Sequence, residues 1–128
     1  MSEAAKSILV IDDEERVREL LLEYLSEFDE FELHGSGSGE EALEVIRSRP
    51  MSLCVVDLRL PGMDGACFIE KAAALGLCAR FIVHTGSVDF SLSRSLQQLG
   101  MMPEDVFYKP VNAADVVARI RQRLQMAE

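Results

Sequence analysis

A chain of 128 residues is expected to form one domain over its whole length, and it can bury roughly two thirds of its unfolded surface. It is 48% hydrophobic and 27% charged, as globular proteins are; its apolar runs are too short to span a membrane, and MSEAAKS at the start lacks a secretory signal's cationic and apolar blocks, so a cytoplasmic protein is expected. A net charge of −9 argues against direct binding to nucleic acid, and three cysteines without CxxC spacing (Cys54, Cys67, Cys78) point to reduced buried thiols, not to a disulfide framework or a zinc site.

Along the chain, short apolar runs alternate with stretches of helical period, the signature of βα units and a parallel sheet. SILVID (7–12) is the first expected strand. Residues 14–28 follow as a helix with Val17, Leu20, Leu21, Tyr24, Leu25 and Phe28 on one face, its acidic start suited to the positive helix end. Residues 31–34 form a weaker strand. Ser38 and Glu41 fit a capping box for a helix carrying Ala42, Val45 and Ile46, which Pro50 stops.

The third strand is expected at 53–57, followed by a turn at Pro61-Gly62 and a helix from about Asp64, with Phe68, Ile69, Ala72 and Ala73 inward and Gly76 as its stop. RFIVHT (80–85) is the fourth strand. Val88, Leu92, Leu96 and Leu99 predict a helical stripe ended by Gly100. DVFYK (105–109) is the fifth strand, and Asn112 caps a last helix with Ala113, Val116, Val117, Ile120 and Leu124 inward. The expected fold is therefore α/β: a doubly wound, flavodoxin-like parallel sheet of five strands flanked by five helices. Such sheets often run 2-1-3-4-5 and hold their ligand at the carboxyl ends of strands 1 and 3.

That topology gathers the polar strand ends on one edge: Asp12 and Asp13 after strand 1, Asp57 after strand 3, Thr85 after strand 4 and Lys109 after strand 5. Each residue alone has a plainer reading, Asp12 and Asp13 as helix caps, Asp57 as a turn former, Thr85 as an ordinary strand residue and Lys109 as a solvated turn residue; it is their joint placement that points to a site. Three carboxylates cannot share a small pocket without a counter-charge. Mg²⁺, or Mn²⁺ in its place, prefers such oxygen ligands together with phosphate oxygens. A carboxylate beside the ion can then attack phosphorus to give an acyl phosphate, with a threonine hydroxyl and a lysine ammonium meeting the new charge. His34 and His84 lie in different elements without ligand spacing, and no metal role is expected of them.

At ILVIDDE (8–14), VVDLRLPGMDG (55–65), HTG (84–86) and YKP (108–110) the sequence resembles the receiver domain of two-component response regulators, a family that includes the single-domain chemotaxis regulators. The resemblance runs from Ser7 to about Leu124. It implies a phosphoryl-accepting signalling switch, not an enzyme with external turnover. Asp57 would take a phosphoryl group from a sensor histidine kinase or phosphotransfer protein. Mg²⁺ would be held by Asp13, Asp57 and the backbone carbonyl of Arg59, with Asp12 acting through water. Thr85 would be the switch hydroxyl, Lys109 the phosphate partner, and the Lys109-Pro110 bond cis. Arg59 and Ser87 lie where the family tunes hydrolysis of the acyl phosphate.

Two features depart from the family's habit. Val106 stands where an aromatic residue is common, and the loop MMPED (101–105) is longer. Phe90, off the apolar stripe of its expected helix, together with Val106, Tyr108 and the outward pair Arg119 and Arg123, is expected to form a surface for a downstream protein target, an output domain not encoded here, or a second copy after phosphorylation. No membrane partner is expected. The alternative function is a degenerate receiver acting as a constitutive interaction scaffold. An aspartyl-phosphate hydrolase of the haloacid dehalogenase type is disfavoured because Leu58-Arg59-Leu60 replaces the needed DxDx[TV] pattern. A flavodoxin-like cofactor binder is disfavoured because the acids at 12–15 would repel a flavin phosphate.

Overall fold

The computed structural model describes residues 5–125, so residues 1–4 of the opening stretch lie outside it. The elements in chain order are β1 (Lys6–Ile11), α1 (Glu15–Leu25), β2 (Phe31–Ser36), α2 (Gly39–Ser48), β3 (Leu53–Asp57), α3 (Gly65–Ala74), β4 (Phe81–Thr85), α4 (Arg94–Gln98), a 3-10 turn (Pro103–Asp105), β5 (Val106–Tyr108) and α5 (Ala113–Leu124). The strands are all parallel in the order β2-β1-β3-β4-β5.

Both faces of the sheet are covered, which is why β1, β3 and β4 are nearly continuous apolar runs. Strand alternation divides the core in two. Leu9, Ile11, Cys54, Val56, Phe81 and Val83 pack with Ile46, Phe68, Ile69 and Leu96 on the side of α2, α3 and α4. Ile8, Val10, Leu53, Val55 and Ile82 pack with Leu21, Leu25, Val116, Val117 and Ile120 on the side of α1 and α5. Since successive side chains on a strand point to opposite faces, the same alternation decides where each polar strand-end residue is aimed.

Helix starts follow local chemistry. Asp64 accepts a hydrogen bond from Cys67 N (2.8 Å) to open α3, and Asn112 accepts from Ala114 N (2.9 Å) and Asp115 N (3.3 Å) to open α5. The Ser38 hydroxyl accepts from Glu41 N (3.1 Å), but the Glu41 carboxylate returns to Gly37 N (2.9 Å) and not to Ser38, so only half of the expected capping box forms. Gly76 (φ +70°) and Gly100 (φ +94°) adopt the left-handed turn that closes α3 and α4.

Three expectations are corrected. Helix α1 stops at Leu25, and Leu20, expected inward, is 57% exposed. The helix expected from Val88 is a five-residue α4 that starts at Arg94, where the Ser93 hydroxyl accepts from Leu96 N (3.2 Å). Its stripe fails accordingly: Leu96 is buried, but Val88 is 79% exposed and Leu99 is exposed. Gly86 is entropically costly to hold in a helix and the serines Ser87, Ser91 and Ser93 favour non-helical bonding to nearby backbone groups, so residues 86–93 are not helical and Phe90 lies among them instead of on a helix. Finally, β5 begins at Val106, because Asp105 belongs to the preceding 3-10 turn, where its carboxylate accepts from Met102 N (2.9 Å).

Candidate functional site

At the carboxyl ends of β1 and β3 the two apolar runs give way to acids. One carboxylate oxygen from each of Asp12, Asp13 and Asp57 lies within 4.8 Å of the others. Asp12 and Asp57 are buried, whereas Asp13 is exposed, so the cluster opens to solvent on one side. Backbone donors fix the buried pair: Glu14 N–H to Asp12 Oδ1 (2.8 Å) and Arg59 N–H to Asp57 Oδ1 (3.0 Å). These local turns leave Oδ2 of each acid for other partners.

Lys109, just after β5, supplies the counter-charge. Its Nζ donates to Asp12 Oδ2 (2.9 Å), Asp57 Oδ2 (3.0 Å) and Glu14 Oε1 (3.1 Å). Burial works against this ammonium, but the three carboxylate bonds outweigh it and hold its pKa well above the ordinary lysine value. The Asp57 carboxyl moves the other way. Its burial is the largest influence and raises its pKa, against the lowering effect of the Arg59 N–H and Lys109. The Lys109-Pro110 bond is cis, and Lys109 N donates to Thr85 O (2.8 Å) at the end of β4.

Thr85 is buried at the end of β4, and its Oγ1 accepts from Ser87 N (3.0 Å), which leaves its own O–H to be donated. The loop after β3 is pinned twice: Gly65 N donates to Leu58 O (3.1 Å), and Met63 N donates to the Glu40 carboxylate (3.1 Å). At Gly65 a Cβ would strike the Asp57 carbonyl oxygen and come within 2.7 Å of Leu58 Cα, so only glycine lets α3 begin this close to the acid.

Two neighbours of the pocket were missed in the sequence. Glu14 reaches Lys109, and its place in the run Asp12-Asp13-Glu14 was the available signal. His84 is completely buried on the α1 and α5 side of β4, with Nε2 at 3.3 Å from Ile11 O and 3.7 Å from Asp12 Oδ2. Strand alternation from Thr85 gives its face, but nothing in the sequence shows how near Asp12 turns to it. Burial lowers its pKa, so the imidazole is kept neutral.

The residues expected on a partner surface are divided. Phe90, Val106 and Tyr108 line a cleft of about 510 Å³ with Leu92 and Met101, and the Tyr108 hydroxyl donates to Phe90 O (3.1 Å). Arg119 and Arg123 are not an outward pair. The Arg119 Nε donates to Asp105 Oδ1 (2.8 Å) and the Arg123 Nε lies 3.5 Å from the same oxygen, because the completely buried Asp105 needs a cation.

Residues 8–121 match the response regulator receiver domain family. The chain belongs to that family. The receiver is 31% identical over 123 residues to the response regulator GtcR of Aneurinibacillus migulanus, covering 96% of this chain and 49% of that protein. It is 29% identical over 124 residues to the transcriptional regulatory protein SrrA of Staphylococcus aureus, covering 97% of this chain and 50% of the relative. The receiver thus spans about half the length of these relatives. Among solved structures, the CheY-like receiver domain protein of Methanospirillum hungatei JF-1 superposes with a TM-score of 0.74 at 28% identity, covering 95% of each chain. The receiver is therefore a component of two-component signalling. Among the described residues no helix is long and apolar enough to cross a membrane.

Proposed function

We propose that this receiver is a phosphoryl-accepting switch in which Asp57 takes a phosphoryl group, as an acyl phosphate, from the phosphohistidine of a sensor kinase or phosphotransfer protein. The observation that carries this reading is the convergence of Lys109 Nζ on Asp57 Oδ2 and Asp12 Oδ2, with Asp13 beside them at an open edge. The donor set consists of hard carboxylate oxygens, which suits Mg²⁺ or Mn²⁺ and not a soft metal. Asp13, Asp57 and the Arg59 carbonyl would hold such an ion, with Asp12 behind a water. When bound, it supplies charge neutralisation at the phosphoryl oxygens.

This chain's own groups do the rest. The Arg59 N–H fixes one Asp57 oxygen, so the other is presented toward the incoming phosphorus. Attack forms the Asp57 O–P bond as the donor's bond to phosphorus breaks. Lys109 exchanges its Asp57 bond for a phosphoryl oxygen, and the Thr85 hydroxyl donates to another. That moves the ends of β4 and β5, which carry the Phe90, Val106 and Tyr108 cleft where a downstream protein, an output domain or a second copy would read the change. Arg59 and Ser87, whose N–H groups already hold Asp57 and Thr85, are the positions that would set the lifetime of the acyl phosphate. The complete acidic set, with its lysine, gives no support to a constitutive scaffold.

Acetyl phosphate with Mg²⁺, followed by intact mass measurement, tests the reading. The wild type should gain one phosphoryl group, and the gain should vanish in Asp57→Asn and without the metal. A wild type that gains nothing, or an Asp57→Asn that is still modified, overturns it.

A further inference from the structure

At the opposite, amino-terminal edge of the sheet, two cysteines unused by the phosphoryl site converge on one carbonyl. Arg80 O accepts a hydrogen bond from Cys54 N (3.1 Å) at the start of β3 and from the Cys78 thiol (3.3 Å) in the loop before β4. Both side chains belong to the same buried cluster. They differ in access and in charge. Cys54 is enclosed, and burial pushes its thiol up, whereas Cys78 lines a surface cleft of about 400 Å³ together with Arg80, Lys6 and Ser52. The Cys54 side chain, with smaller help from Arg80, pulls the Cys78 thiol below its usual value despite burial.

We propose that Cys54 and Cys78 are a reversible oxidation site that closes to a disulfide when a peroxide enters the cleft. The Cys78 thiolate attacks one peroxide oxygen and the O–O bond breaks; the leaving hydroxide takes up the thiol's proton as water, and Cys78 becomes a sulfenic acid. The Cys54 sulfur then attacks the Cys78 sulfur. The S–S bond forms, the S–O bond breaks, and the departing hydroxyl leaves with the Cys54 proton as a second water. Two thiols are oxidised by two electrons, and one peroxide is reduced to two waters. A dithiol reductant reverses the bond by thiol–disulfide exchange. The ring so closed contains Asp57 and all of α3, so the two modifications would meet on one segment of chain.

The test does not depend on the phosphoryl reading. The folded chain is treated with hydrogen peroxide, the peroxide is removed, the chain is unfolded in the presence of the alkylating reagent so that every remaining free thiol is trapped, and tryptic peptides are mapped. Cys54, Cys67 and Cys78 fall on separate tryptic peptides, 48–59, 60–71 and 72–80. The expected product is a cross-link between the first and third of these, lost on treatment with dithiothreitol, retained in Cys67→Ser and abolished in Cys78→Ser. Oxidation confined to Cys67, a Cys67 cross-link, or alkylated Cys54 and Cys78 after peroxide treatment would overturn the proposal, and the wild-type map alone decides if a variant does not fold.

Discussion

Lys109 Nζ stands 3.0 Å from Asp57 Oδ2 and is the cation through which this acid and Asp12 tolerate each other. Removing it by Lys109→Met leaves two buried carboxylates uncompensated, at a cost of about 3 kcal/mol. On the proposed reading, a divalent ion in the pocket would replace the missing charge. Thermal melts in EDTA should therefore show a large loss for Lys109→Met, and Mg²⁺ should raise its melting temperature more than it raises that of the wild type. Equal metal-induced shifts would show that Lys109 and the ion do not answer the same charge.

The close start of α3 gives a second prediction. Gly65→Ala sets a Cβ against the backbone of Asp57 and Leu58, which cannot move aside as a flexible side chain could. Overpacking of this kind costs about 1–3 kcal/mol. Gly76→Ala is the control: it faces open space and suffers only from its φ of +70°, a strain of about 1 kcal/mol. Both variants should unfold at lower urea concentration, but only Gly65→Ala should also slow modification by acetyl phosphate. Unchanged phosphorylation in Gly65→Ala would mean that the loop absorbs the methyl away from Asp57.

Asp105 tests the reassigned arginines. Arg119→Met leaves a completely buried carboxylate with one backbone donor and the more distant Arg123, and should cost about 3 kcal/mol. Arg123→Met, removing a partner at 3.5 Å, should cost clearly less. Adding Asp105→Asn to Arg119→Met should recover part of the loss, since the amide oxygen can still accept from Met102 N. Chemical unfolding of the set checks this, and a double variant no more stable than Arg119→Met alone would contradict it.

The order of the strands' polar ends was legible because it needs only the period of two, the strand count and the habit of doubly wound sheets. That was enough to bring Asp12, Asp13, Asp57, Thr85 and Lys109 to one edge. What stayed hidden depends on side-chain reach and on weak local preference. Arg119 and Arg123 read as outward by helical period, yet long side chains bend back to a buried acid that strand propensity had assigned to β5. The α4 stripe at Val88, Leu92, Leu96 and Leu99 had the right spacing, but the serines and glycine around it disfavour a helix, and only Leu96 is buried, with Leu92 packed half-buried against the core. Leu20 met the period of α1 and still faces solvent, because the stripe is wider than the surface available to cover it.

His84 carries the last prediction, on pH. Its Nε2 faces the Ile11 carbonyl, which can only accept, so the proton sits there and Nδ1 is left bare, buried and without a hydrogen-bond partner among the described residues. Burial is the largest influence on this group, with Lys109 adding to it and Asp12, Ile11 O and Asp57 opposing, and the net effect lowers its pKa. The unfolded histidine takes up a proton near pH 6.5, whereas the folded one does not until lower pH. Below about pH 6.5 the unfolded state therefore binds more protons, and stability falls with pH until the depressed folded value is reached. Urea unfolding of the metal-free chain at about pH 7.5, 6.5 and 5.5 should show this decline. His84→Leu, which cannot bind a proton, should flatten it across that window. A variant with the same slope as the wild type would show that His84 accepts its proton in the folded chain at no cost.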